Sequence, residues 1–366
     1  MITINDHLQS VASKVLNHAL PIEESQTVTF LAGGHNLDLA YAFAAECSVR
    51  GIESFIVTQP DYILDAQLRS APLSFFQRSP KLLSEIVALS DWVIYMTGSR
   101  HDRAIFHDPE LKERLVEVQR ASVWSTDHLL QLCLNTATHL VAFLDPNLQQ
   151  AQALGLSFEE TKERFLQSLD IDYKALTELG ERLIDKLKGV EEIHLTSPKG
   201  TDLYLSAGAR PWVNDNGGLA RPEGVTPYIH NLPVGEVFVA PVETSAQGIL
   251  APEDLPGSPH KGLSIEFHGS MPARISAQEG EEFVLPRIEQ ATGNPYCIAE
   301  FAIGTNPCGD PLLATEKAFG TAHVAIGQNT WLGGSNACSM HWDFLVDKPT
   351  VTVGGEPILK DGKFVI

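Results

Sequence analysis

Thr27-Val28-Thr29-Phe30-Leu31-Ala32-Gly33-Gly34-His35-Asn36-Leu37 is the stretch whose reading settles the fold class. Thr27 to Leu31 is a short apolar run that ends on two glycines, after which Leu37, Ala40, Tyr41 and Ala44 recur at helical spacing. Glu53 to Val57 is then a second strand-like run. A strand, a helix and a strand in succession form the unit of a parallel sheet, since parallel neighbours need a crossover between them. Working outward, Trp92 to Thr97 predicts a third strand, Ser122 to Ser125 is a candidate fourth, and a helix follows Thr126-Asp127. Long amphipathic periodicity from Phe158 to Leu187 closes a first, α/β domain over residues 1–188. The glycine pair invites a dinucleotide reading, but G-x-G-x-x-G is absent, because Gly34 runs into His35-Asn36-Leu37-Asp38. A turn that uses permissive glycines is the better explanation.

The texture changes at Val190. Ile193-His194-Leu195-Thr196 and Asp202-Leu203-Tyr204-Leu205-Ser206 read as strands, and strand signals recur between Pro and Gly clusters up to Val365. Residues 189–366 are therefore a mainly β (α+β) domain, and the length of 366 residues suits two domains. With 26 Lys and Arg against 46 Asp and Glu, the net charge is -20, and no basic stripe offers itself to a phosphate backbone. Nucleic acid and anionic membrane surfaces are thus excluded as partners, and no apolar window is long enough to span a bilayer. The start, Met1-Ile2-Thr3-Ile4-Asn5-Asp6-His7, lacks the basic and apolar regions of a signal peptide, so a cytoplasmic location is expected. Five scattered cysteines with no CxxC pair are read as reduced and mostly buried.

The chemistry of the second half rests on a few polar residues in apolar runs. In His341-Trp342-Asp343, residues i and i+2 of a strand emerge on one face, which gives half of a metal site. Glu300 lies in Cys297-Ile298-Ala299-Glu300-Phe301-Ala302-Ile303, where neither face looks wet, so its carboxylate needs a cation or a strong donor. His323, in Gly320-Thr321-Ala322-His323-Val324-Ala325-Ile326-Gly327, reads either as a ligand or as a core histidine bonded to backbone. Glu236, in Gly235-Glu236-Val237-Phe238-Val239, reads as a ligand or as a solvated strand start. Glu316-Lys317 is either an external ion pair or a pair that orients a ligand.

The ordered series Gly200-Thr201-Asp202-Leu203, Gly235-Glu236-Val237-Phe238-Val239-Ala240-Pro241, Ala299 to Asn306, Glu316 to Gly327 and His341-Trp342-Asp343 resembles the thermophilic metallo-aminopeptidase family, that of aminopeptidase T. The resemblance covers residues 190 to 345 and implies metal ligands at Glu236, Glu300, His323, His341 and Asp343, a homodimer and a short peptide or other small molecule as substrate. That family carries a tyrosine where this chain has Thr330. The same superfamily is similar to 2,5-dihydroxypyridine dioxygenase, in which a histidine stands at the position of Glu300, and to a nitroanthranilate aminohydrolase.

Three carboxylates and two imidazoles suit hard or borderline divalent cations, Zn, Mn or Co above all. Five ligands exceed the three of a mononuclear catalytic zinc site, so two cations, or one with a nearby base, are expected. The favoured reading is a metallohydrolase of an amide or other C-N bond, with activated water as nucleophile and Glu236 or Glu300 as ligand or general base. A mononuclear Fe(II) ring-cleaving dioxygenase using His323, His341 and Asp343 is the second reading. A non-catalytic protein with a structural metal or none is the third.

Overall fold

The computed structural model describes residues 6–366 apart from 59, 97–109, 123–124, 147, 219–224, 257, 270, 311–312 and 314–315. The chain forms two compact units, one running to Asp170 with the return segment Thr226–Pro233, the other made of Ile171–Asn216 and Val234–Ile366.

The first unit is α/β. Its elements are α1 (Asp6–His18), β1 (Thr27–Ala32), α2 (Leu37–Val49), β2 (Glu53–Thr58), α3 (Asp61–Ser70), α4 (Leu73–Phe76), α5 (Lys81–Ala88), β3 (Trp92–Met96), α6 (Lys112–Ala121), α7 (Thr126–Thr136), β4 (His139–Phe143), α8 (Leu148–Ala153) and α9 (Phe158–Leu169). The strands make a parallel sheet in the order β2-β1-β3-β4-β8, with β8 supplied by the returning segment Ile229–Leu232. Phe30, Ile94, Val141 and Phe143 are buried in it, as expected of strands covered on both faces. Val123 and Trp124, the centre of the candidate strand at Ser122 to Ser125, lie outside the described residues, and among the described residues the strand after β3 is His139–Phe143. Gly34 does not owe its place to steric need, because a Cβ there would meet nothing within 4 Å.

The second unit begins with α10 (Tyr173–Leu187), so the division falls before that helix and not at 188/189. The reason is physical. Asp172 caps the helix through Lys174 N and Ala175 N, Leu183 and Leu187 enter the core of the second unit, and Asn214 donates to Thr177 O at 3.1 Å.

After α10 come β5 (Glu192–Thr196), β6 (Asp202–Ser206), β7 (Val213–Asp215), β9 (Glu236–Val239), β10 (Gln247–Leu250), β11 (Ser264–His268), β12 (Met271–Ser276), α11 (Glu281–Glu289), β13 (Ile298–Gly304), β14 (Ala322–Gly327), β15 (His341–Val346), β16 (Thr350–Val353), β17 (Glu356–Lys360) and β18 (Lys363–Phe364).

They build two antiparallel sheets, β12-β11-β10-β6-β5-β16-β17-β18 and β15-β14-β13-β9-β7. The two share one core. Ile193, Leu195, Leu203, Leu205, Val351 and Val353 of the larger sheet pack in the same cluster as Val237, Val239, Phe301, Ile303, Val324, Ile326, Phe344 and Val346 of the smaller. One face of the five-stranded sheet is thereby filled with apolar side chains. The other face is left for chemistry.

Candidate metal centre

The register of the five-stranded sheet places its polar side chains before any distance is considered, since residues opposite one another project to the same side. Glu300 of β13 lies opposite Ala325 of β14, and Ala325 opposite Asp343 of β15. In neighbouring rows Ala302 faces His323 and Gly327 faces His341. Across the other edge of β13, Gly304 faces Glu236, and Glu236 faces Asp215 of β7. The period of two then sends Val237, Phe301, Ile303, Val324, Ile326 and Phe344 into the core, while Glu236, Glu300, His323, His341 and Asp343 share the opposite face. Ala302, Gly304, Ala325 and Gly327 stand between them, and such small residues leave room for the longer ones to converge.

They do converge. His323 Nε2 lies 3.5 Å from Glu236 Oε2, 3.5 Å from Glu300 Oε1 and 4.0 Å from Asp343 Oδ1. His341 Nε2 lies 3.4 Å from Glu300 Oε2 and 3.2 Å from Asp343 Oδ1. Three three-residue groups result, Glu236-Glu300-His323, Glu300-His341-Asp343 and Glu316-His323-Asp343, each with one ligand atom per residue within 4.8 Å of the others. Glu300 belongs to the first two, and its two oxygens reach different imidazoles. The first group is buried, whereas Asp343 retains 26% of its side-chain exposure, so the open side of the cluster is at β15.

Burial pushes each of these groups toward its neutral form, and neighbouring charge decides the outcome. At Glu236 burial prevails: with Glu300 and Asp215 adding to it, the carboxyl is pushed up to about 8 against Lys317 and His323. At Glu300 burial is outweighed by hydrogen bonds from His323 and His341, which hold the carboxyl far below the ordinary carboxylate range. Burial would lower His323, but Glu236 and Glu300 push it up to about 9. His341 rises well above the ordinary imidazole value against its own burial, because of Asp343 and Glu300, and Asp343 is lowered in turn by His341.

A family described as thermophilic metalloprotease (M29) matches residues 4–365. The chain belongs to that metalloprotease family. Among solved structures it is similar to wild-type AmpT from Thermus thermophilus, with a TM-score of 0.72, 20% identity and 100% of both chains covered. It is also similar to 2,5-dihydroxypyridine dioxygenase from Pseudomonas putida KT2440, with a TM-score of 0.54, 17% identity, 98% of this chain and 96% of that one. Both likenesses are of fold. No curated protein sequence matches.

Within this metalloprotease the supporting residues were partly hidden from sequence reading. Lys317 is 3% exposed, with its ammonium bonded to Glu236 Oε1 and 3.3 Å from Glu316 Oε1, so the pair Glu316-Lys317 is internal and not an external ion pair. Gly304 explains how the Lys317 segment gets there. A Cβ on it would lie 2.1 Å from Ala318 O and 2.9 Å from Lys317 C, so only glycine lets that backbone rest on β13 opposite Glu236. Asp215, 3% exposed beside Glu236, carried no sequence signal, since Asn214-Asp215-Asn216-Gly217 reads as a turn.

His341 is oriented from behind. Its Nδ1 lies 2.7 Å from Gln328 O, which makes that nitrogen the N–H and turns Nε2 to the cluster. Thr330, at the position of the family tyrosine, lies in the short 3-10 turn Thr330–Leu332, and the neighbouring Trp331 ring packs 4.8 Å from the His341 ring. Cys297 and Cys338 are buried free thiols outside these three-residue groups. Among the described residues no helix is long and apolar enough to cross a membrane.

Proposed function

We propose that the protein hydrolyses an amide or other C-N bond of a short peptide or similar small molecule, with two divalent cations held side by side on the five-stranded sheet. The observation that carries this reading is the pair of three-residue groups sharing Glu300. The residues fit such a cargo. Glu236 Oε2 is buried without a hydrogen-bond partner, and His341, held through Nδ1 by Gln328 O, turns Nε2 toward Glu300 and Asp343. Buried carboxylates at Glu236 and Glu300 beside Asp343 also call for positive charge. Glu236, Glu300 and His323 would hold one cation, and Glu300, His341 and Asp343 the other. Three carboxylates and two imidazoles favour Zn, Mn or Co. Cations bound there lower the pKa of a water toward ~7 and polarise a carbonyl.

The chain's own part is positioning. Glu300 sets the spacing of the two positions, because each of its oxygens faces a different imidazole. Both Glu236 and Glu300 are assigned here as ligands in preference to the general base. The partly exposed Asp343 marks the side from which substrate and water approach. An iron-dependent ring-cleaving dioxygenase remains the alternative. The Glu236-Glu300-His323 group argues against it, since a mononuclear 2-His-1-carboxylate face leaves that second set of ligands without a task. Glu300→Gln is expected to lose both bound cations and peptide hydrolysis together while keeping its far-UV circular dichroism. Full metal content and full turnover in that variant would refute the assignment. Oxygen uptake by the iron-loaded protein with ring-containing substrates, and no peptide hydrolysis, would favour the dioxygenase.

A further inference from the structure

An antiparallel strand turns the N–H and C=O of alternate residues to opposite edges, so a strand at the border of a sheet shows every second residue to whatever lies beside it. β15 is such a strand, the last of β15-β14-β13-β9-β7. Gln328 N donates to Met340 O at 2.6 Å, and the register continues that pairing through Trp342, Phe344 and Val346, whose backbone groups therefore face β14. Those of His341, Asp343 and Leu345 face outward. Two of these three are already engaged by the chain itself. Arg287 Nη2 of α11 donates to His341 O at 2.9 Å, and Glu253 N, from the segment between β10 and β11, donates to Leu345 O at 2.8 Å. Between them, among the described residues, the N–H and C=O of Asp343 meet no protein group.

Backbone groups that lack a protein partner are met by water or by a ligand, and an extended peptide supplies a donor and an acceptor at the spacing of a strand. We propose that the outer edge of β15 is the main-chain subsite for a peptide substrate, which lies antiparallel to the strand and exchanges two hydrogen bonds with Asp343 through one of its residues. The inference rests on the peptidase reading and adds how the substrate is held. Residues opposite one another project to the same side, so the paired substrate residue presents its side chain on the face that carries Glu300, His341 and Asp343. An antiparallel neighbour would bond β15 at every second residue, but Arg287 and Glu253 already hold the acceptors on either side. Arg287 is fixed in that place by the Trp342 ring, whose centroid lies 4.6 Å from its guanidinium carbon. The edge therefore has room for one residue's pair of bonds. That suits a short peptide and denies a strand of a folded protein the ladder it needs to add.

Amide hydrogen exchange reads this bond directly. The zinc-loaded, isotope-labelled protein is transferred to deuterium oxide with and without Leu-ψ[CH2NH]-Leu-Leu, a tripeptide whose first peptide bond is reduced and resists hydrolysis, and exchange is followed residue by residue by NMR. In the free protein the Trp342 and Phe344 amides, bonded to β14, should exchange slowly and the Asp343 amide fast. The tripeptide should slow Asp343 by ~10-fold or more while Leu345 and Trp342 stay within about twofold of their free rates. An Asp343 amide as slow as that of Trp342 in the free protein overturns the proposal. So does one that the tripeptide leaves unchanged at every concentration, or slows no more than it slows Leu345. Hydrolysis of the parent Leu-Leu-Leu is measured alongside. A zinc-loaded protein that leaves the parent intact refutes the proposed function, while the exchange rate of Asp343 still decides whether a peptide pairs with this edge.

Discussion

Cation binding should release protons and tighten steeply with pH, and the metal-free centre shows how much. A metal ligand must be a neutral imidazole or an ionised carboxylate. His323 is held up to about 9 and His341 well above its ordinary value, so both carry a proton at pH 7 before a cation arrives. Displacing the His323 proton alone at pH 7, about two pH units below its value, weakens apparent affinity ~100-fold, or about 3 kcal/mol. His341 adds a second proton, and Glu236, pushed up to about 8, adds part of a third. Apparent affinity should therefore climb between pH 6.5 and 9 by more than tenfold per pH unit. The metal-free protein should behave in the opposite sense. A histidine raised from 6.5 to about 9 by folding contributes stability that is fully present below 6.5 and lost as pH rises through 9, about 3 kcal/mol for His323. Isothermal titration with Mn(II) in buffers of different ionisation enthalpy counts the protons directly, and urea unfolding of the chelated protein at pH 6.5 and 9 reads the second limb. Flat affinity across this range with no proton release would show that the two histidines are already neutral, and the charge reasoning for the centre would fail.

Two structural predictions accompany it. Glu243 accepts from Arg210 Nη2 at 2.6 Å, Ser335 N at 2.6 Å and Asn329 Nδ2 at 3.2 Å, tying down the segment between β14 and β15 whose Gln328 carbonyl orients His341. Against its partial burial, the Arg210 bond and its companions hold the Glu243 carboxyl down at about 2, so its contribution is present above ~4.5 and lost as pH falls through 2. Glu243→Gln should cost about 1.5–3 kcal/mol in urea unfolding at pH 7 and progressively less toward pH 2; an equal cost at pH 7 and pH 3 would contradict this. Gly304→Ala forces a Cβ to 2.1 Å from Ala318 O and should cost about 1–3 kcal/mol while shifting Lys317 from Glu236. A variant with wild-type stability and wild-type manganese stoichiometry would show that the Lys317 segment does not depend on that close approach.

The ligand-type residues were legible because each breaks a local rule. A carboxylate in Ile298-Ala299-Glu300-Phe301 or an imidazole in Ala322-His323-Val324 has no reason to be in a fully buried strand unless the strand's polar face serves chemistry. What a period of two cannot disclose is which strands are neighbours. Asp215 sits on a three-residue strand among turn-forming residues, and only the antiparallel pairing of β7 with β9 brings it to Glu236. Lys317 was readable as a charge but not as a buried one, because its burial follows from the close approach of its segment to Gly304 on β13.

The boundary of the first unit shows the same limit from the packing side. Periodicity from Phe158 to Leu187 is that of amphipathic helices, and the break at Asp170-Ile171-Asp172 between α9 and α10 is visible as an acidic, capping-competent spot. Amphipathicity states that an apolar face must be covered. It says nothing about by what. Leu183 and Leu187 could cover a parallel or an antiparallel sheet equally well by composition, and it is the Asn214 side chain, reaching Thr177 O past Gly180, that commits α10 to the second unit. The helix thus packs on β7, the strand that carries Asp215, so a residue with no ligand signature of its own is held beside Glu236 by a helix that sequence reading assigns to the other half of the chain.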